Sequence, residues 1–213
     1  MEITWYGLSC FKLTERGVAS VITDPYDHQQ TGLAPLKLSA DIVTVSHEAP
    51  GHNCLEAVKG TPYTITGPGE YEVGGVFVTG IQTGGQKGSG DLRNTLFVFD
   101  FQTVTVVHLG ALNRIPTQAE IEAMGTVNIA LVPVGGGNHL SASRAAEVIS
   151  LLEPSIVVPM HYAIPDCTIQ LDPLSKFMKE MGINEYEPHA SLKINQANLP
   201  EETQVYVLSD QRG

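Results

Sequence analysis

The chain has 213 residues with a formal charge of −11 at pH 7. That length can bury one sizeable core, and we expect one domain spanning residues 1–213. The acidic balance disfavours indiscriminate binding to phosphate backbones, so no nucleic-acid partner is expected. No secretory signal or membrane-spanning apolar run is evident, and Cys10, Cys54 and Cys167 show no zinc-binding spacing. A reduced cytoplasmic protein without a membrane partner is the expectation.

Taken in chain order, Asp24 ends a strand and precedes Pro25, which makes it a pocket candidate; its plain alternative is turn formation. Asp41-Ile42-Val43-Thr44-Val45 reads as a buried strand. It delivers Ser46-His47-Glu48-Ala49-Pro50-Gly51-His52, two histidines five apart in a Pro/Gly loop. Imidazole is a common zinc and iron ligand, so this loop is a candidate edge of a metal site. An isolated histidine is more often a satisfied polar residue. Glu70 and Glu72 precede a Gly74-Gly75 hairpin turn and share one sheet face. They read as solvated strand residues before they read as an acid/base pair. A second hairpin is expected at Phe101-Gln102, and the glycine-rich stretch 84–90 reads as a loop carrying Lys87.

The second half interleaves strands and helices. Thr117-Gln118-Ala119-Glu120 is a capping-box candidate. Val127–Val132 and Ile156–Val158 read as buried strands. Gly135-Gly136-Gly137-Asn138-His139 forms a loop before a helix capped by Ser141 and ending near Pro154. The glycine run lacks the Lys-Ser/Thr ending of a phosphate-binding loop. His28, His139 and His189 have weaker claims than the histidines above; His139 belongs to this loop, within reach of the pocket, and is a pocket candidate. His108 reads as the end of a core strand. Asp172-Pro173 is expected to open a third helix ending at Gly182. Ser9 and Cys10 lack a base in the sequence, so a nucleophilic triad is disfavoured. Arg93, Arg114 and Lys87 are candidate anion contacts.

Several segments together resemble the metallo-β-lactamase superfamily, in particular its lactonase-like branch of ascorbate-6-phosphate lactonase-like enzymes. They are Met1–Phe11, Ile22-Thr23-Asp24-Pro25, His47–His52, Gly67–Glu72 and Val157-Val158-Pro159-Met160-His161-Tyr162. The resemblance implies an αββα sandwich, an α/β fold. It also implies a two-metal site with ligands missing. His47 matches a ligand of the first metal, and His52 and His161 match the histidines of the second. Ala49 stands at a histidine position, Gly51 and Ala111 at aspartate positions, and Gly84-Gly85 near a further histidine. Leu8 stands where this branch usually has histidine.

Without those carboxylates, two cations would lack neutralising charge. Three histidines with an open fourth position still suit one ion. The expectation is therefore His47, His52 and His161 as metal ligands, with Asp24, Glu48 and His139 as pocket candidates. The cofactor expectation is none or one divalent metal, with zinc favoured. No catalytic residue is assigned. The expected function is weak single-metal hydrolysis of a small ester, lactone or phosphorylated metabolite. The alternative is a non-catalytic ligand-binding or assembly protein on the same fold. A small-molecule ligand is the expected partner, and homo-oligomerisation stays open.

Overall fold

The computed structural model describes residues 1–85 and 93–212. Lys87 lies outside the described residues. Among them, two large sheets face one another. The first runs Leu192–Lys193, Glu2–Trp5, Phe11–Thr14, Val21–Thr23, Ile42–Thr44 and Tyr63–Ile65. The second runs Gln204–Val205, Ile156–Met160, Ile129–Pro133, Thr105–His108, Asn94–Asp100, Val76–Thr83 and Gly69–Val73.

Strand alternation builds two apolar clusters. Val21 and Ile42 point into the main core between the sheets, where they meet Leu96, Phe97, Val107 and Val157. Ile22 and Val43, one residue on, point the other way and pack with Leu8, Cys10, Tyr26 and Leu33. The strands Ile129–Pro133 and Ile156–Met160 are buried throughout and pair in parallel, which accounts for their unbroken apolar sequence. Gly74 and Gly75 take φ +54° and +82°, the left-handed turn a two-residue hairpin requires.

The helices form where their signals stand. Thr117 and Glu120 make a reciprocal capping box at the start of Gln118–Met124. Ser141 caps Ala142–Leu152, which buries Ala142, Ala145, Val148 and Ile149 on one face. It packs against Leu174–Glu180, which buries Leu174, Phe177 and Met178. That last helix begins later than Asp172-Pro173 suggests. The Asp172 backbone is occupied elsewhere: its N–H donates to Gly135 O (2.8 Å) and its carbonyl accepts from Ala163 N (2.9 Å). Asp172 therefore ties two loops together, and Pro173 takes the N-cap position without a side-chain bond. No helix among the described residues is long and apolar enough to cross a membrane.

Strands Val21–Thr23, Ile42–Thr44 and Tyr63–Ile65 run parallel, as do Thr105–His108, Ile129–Pro133 and Ile156–Met160. Their C-terminal ends release Asp24, Ser46-His47, Gly110, the 134–139 loop and His161. Open sheets place ligand sites at such ends.

Candidate metal centre

Four histidines gather there. The ring centroids of His47 and His52 are 4.2 Å apart, those of His52 and His161 5.0 Å, and those of His139 and His161 3.8 Å. One potential ligand atom from each of His52, His139 and His161 falls within 4.8 Å of the other two. These three, with His47, Ala49, Gly51 and Asn138, line a cavity of about 260 Å³. His47 thus stands beside the tightest group, and His139 completes it. His28 and His189 are exposed and lie outside the cluster.

Two of the rings, His52 and His161, are oriented from behind. Asp24, fully buried, lies with Oδ2 2.7 Å from His52 Nδ1. It also accepts from Ser46 N (2.7 Å) and Ser46 Oγ (2.5 Å). Burial pushes the Asp24 carboxyl up, but His108, His52 and the hydrogen bonds from His52 and Ser46 outweigh it and hold its pKa below the usual value. An ionised Asp24 makes Nδ1 the proton-bearing nitrogen of His52. Nε2 is then left buried and unpartnered. Ser9 Oγ lies 3.1 Å from His161 Nδ1, which leaves the other ring nitrogen of His161 for the cavity. Both ring nitrogens of His139 and Nδ1 of His47 are buried without partners.

The backbone is bent to reach this arrangement. Leu8, Asp24 and His161 adopt φ of 48°, 40° and 54°, which non-glycine residues seldom do. His161 N donates to Leu8 O (3.1 Å), so two of the three brace one another. Such strain persists where surrounding structure over-determines it, and it gathers at functional sites. Gly135 gives His161 its room: a Cβ there would stand 2.1 Å from the His161 carbonyl oxygen.

Burial is the first cause that lowers the pKa of His47, to about 4, with His52 adding to it and Asp24 opposing. His139 and His161 are held well below the usual histidine value, again by burial first and then by neighbouring histidines. These three rings are therefore neutral at neutral pH and can offer lone pairs. The unpartnered nitrogens, the buried carboxylate behind His52 and the neutral rings together fit one soft-to-borderline divalent ion.

The other sequence candidates fall elsewhere. Glu48 is exposed and faces a neighbouring cavity rather than the three-histidine one. Glu70 and Glu72 are exposed on an edge strand. Arg114 pairs with Glu120 at 2.7 Å and stabilises the capping box. His108 ends its strand, with Nε2 2.9 Å from Ser9 O and Nδ1 3.2 Å from Gly110 N. Ala111 is buried, and its N–H donates to Asn94 Oδ1 (2.8 Å). A Cβ at Gly51 would point between Leu8 Cδ1 (3.5 Å), Ile169 Cδ1 (3.6 Å) and His161 Cε1 (3.9 Å). Apolar side chains thus border the place where the resemblance puts a carboxylate.

A family model described as the beta-lactamase superfamily domain matches residues 2–161. The chain belongs to the metallo-β-lactamase superfamily. A provisionally assigned Zn-dependent hydrolase of this superfamily from Thermotoga maritima is 34% identical, with TM-score 0.81 and 97% of each chain covered. The UPF0173 protein of Pyrococcus furiosus is 29% identical, covering 85% of this chain and 90% of its own. The UPF0173 metal-dependent hydrolase of Thermoplasma acidophilum is also 29% identical, covering 81% and 88%. Igni18, a metallo hydrolase of Ignicoccus hospitalis, shares the fold at 20% identity and TM-score 0.66. The mixed α/β sandwich expected from the sequence is the fold of these superfamily neighbours.

Proposed function

We propose that this protein is a hydrolase working with one divalent metal held by His52, His139 and His161. The carrying observation is the approach of three histidine ligand atoms to within 4.8 Å, in a cavity where His52 Nε2 and both His139 nitrogens lack partners. Buried polar atoms without partners are costly, and an ion is one partner that satisfies several at once. A cation bound there supplies Lewis acidity, which activates water and polarises the group under attack. Zinc suits a three-nitrogen set with an open fourth position. Relatives named as metal-dependent hydrolases support the reading.

The chain's own residues divide the remaining work. Asp24 and Ser9 hold His52 and His161 in orientation through their Nδ1 atoms. Ile169 lines the cavity with apolar surface, and buried Leu8 packs against Gly51 in the same wall, which excludes water from that side. His47 lines the cavity beside the three ligands and is placed to touch the substrate. A small ester, lactone or phosphorylated metabolite is the proposed substrate class.

A non-catalytic binding role on the same fold is the second reading. It is favoured by the apolar border at Gly51 and by the buried Ala111, neither of which offers a carboxylate. Turnover separates the two. Zinc-loaded protein is assayed against esters, lactones and phosphoesters beside His139→Ala. Metal-dependent turnover lost in the variant supports the hydrolase. Stoichiometric metal uptake without turnover across the panel favours the binding role.

A further inference from the structure

A second cavity, of about 390 Å³, opens beside the first and is lined by Ser46, His47, Glu48, Thr66, Arg93 and Thr95. His47 belongs to the walls of both. A ligand in the second cavity therefore lies one imidazole away from the three-histidine group. The volume suits a small molecule or one end of it.

Arg93 is exposed in this wall, and the backbone that follows it is well anchored. It precedes the strand Asn94–Asp100, whose start is fastened to the histidine loop by Thr95 N donating to Ser46 O (2.8 Å). Asn94 is buried and anchors the same point, donating through Nδ2 to Thr83 Oγ1 (2.9 Å) and Leu109 O (3.2 Å). Gly85 leaves space for the arginine, since a Cβ there would lie 2.7 Å from Arg93 Cβ. The resemblance places a further metal-binding histidine near Gly84-Gly85. This chain places an exposed cation, Arg93, beside that position instead.

Arg93 makes no hydrogen bond or ion pair with another described residue, and it does not pair with Glu48 on the same wall. The chain carries 23 acidic residues against 12 basic ones, so acidic partners are not scarce. A guanidinium presents a planar fork of donors that matches carboxylate and phosphate oxygens. The hydroxyls of Thr66 and Thr95 on the same wall have no hydrogen-bond partner among the described residues. We propose that this cavity binds an anionic group of the substrate, a carboxylate or a phosphate, through Arg93. Calling the ligand a substrate rests on the hydrolase reading; its binding rests on a different set of residues.

The test uses full-length protein stripped of metal, so that a bound ion cannot hold the anion itself. Inorganic phosphate and acetate are titrated by calorimetry at constant ionic strength, against the parent, Arg93→Ala and Arg93→Lys. The parent binds at least one of the two anions. Arg93→Ala weakens that binding roughly tenfold or more, and Arg93→Lys falls between because it keeps the charge without the fork. The preferred anion identifies which of the two groups the substrate carries. Absence of binding by the parent, or equal binding by parent and Arg93→Ala, would overturn the assignment. Metal uptake, measured separately on the same proteins, should not change in Arg93→Ala. A parent that binds anion but takes up no metal would sink the hydrolase reading and leave the anion site standing.

Discussion

Asp24 Oδ2 and His52 Nδ1 lie 2.7 Å apart, and both residues are buried. This contact decides which nitrogen of His52 faces the cavity. The same carboxylate takes two hydrogen bonds from Ser46, the residue before His47. One buried charge therefore organises both ends of the histidine loop. A carboxylate behind a ligating histidine fixes its tautomer and raises its basicity.

Asp24→Asn tests that role. Asparagine tolerates the left-handed backbone at this position, φ 40°, so the turn survives. The amide carries no charge and cannot accept from His52 and Ser46 as fully. Metal affinity should fall roughly ten- to a hundredfold. Stability should fall by about 1–3 kcal/mol through the weakened buried network. Unchanged metal affinity, measured by competition with a chromogenic chelator, would remove Asp24 from the site.

Acid should destabilise the metal-free protein through its buried histidines. Their pKa is lowered in the folded state, to about 4 for His47 and well below the usual histidine value for His139 and His161. The unfolded chain binds protons near the ordinary value of about 6.5. Below that pH the unfolded state takes up more protons than the folded one, so stability falls. It is fully present above about 6.5 and declines as pH drops toward the folded value of about 4 for His47. Urea midpoints at pH 7.5, 6.0 and 5.0 should fall in that order. A flat series would contradict the neutral, desolvated cluster.

Gly135→Ala should be among the more damaging single-methyl changes in the chain. Its Cβ would press to 2.1 Å from the His161 carbonyl, and backbone cannot yield as a side chain can. A loss of about 3 kcal/mol or more is expected, or displacement of His161 with loss of metal. A wild-type melting curve with full metal uptake would show that the contact is not constraining.

Much of the fold was legible in the sequence because its signals are local. Thr117 and Glu120 announce a helix start, Gly74-Gly75 a hairpin, and the apolar run at Ile156 a buried parallel strand. Asp172 misled by one or two residues because its backbone is engaged by Gly135 and Ala163, partners 37 and 9 positions away. The site was harder to read. His47 and His52 stand out by spacing, whereas His139 joins them only when the 135–138 loop turns back under Asp172 and His161. The glycine run preceding His139 was the available signal, since Gly136 and Gly137 both take φ +66° there. Ser9, Ser46 and Asn94 carry no pattern of their own. Their roles arise from contacts across 152, 22 and 17 positions.

The central claim is one metal ion held by His52, His139 and His161. The most direct measurement is zinc stoichiometry by elemental analysis on tag-free protein, repeated on His139→Ala and His47→Ala. His139 is not a large apolar core residue, so its loss should leave the chain folded. One ion per chain is expected in the parent, none retained after dialysis in His139→Ala, and one still bound in His47→Ala. Two tightly bound ions in the parent, or an ion that survives the loss of His139 but not of His47, would contradict the claim.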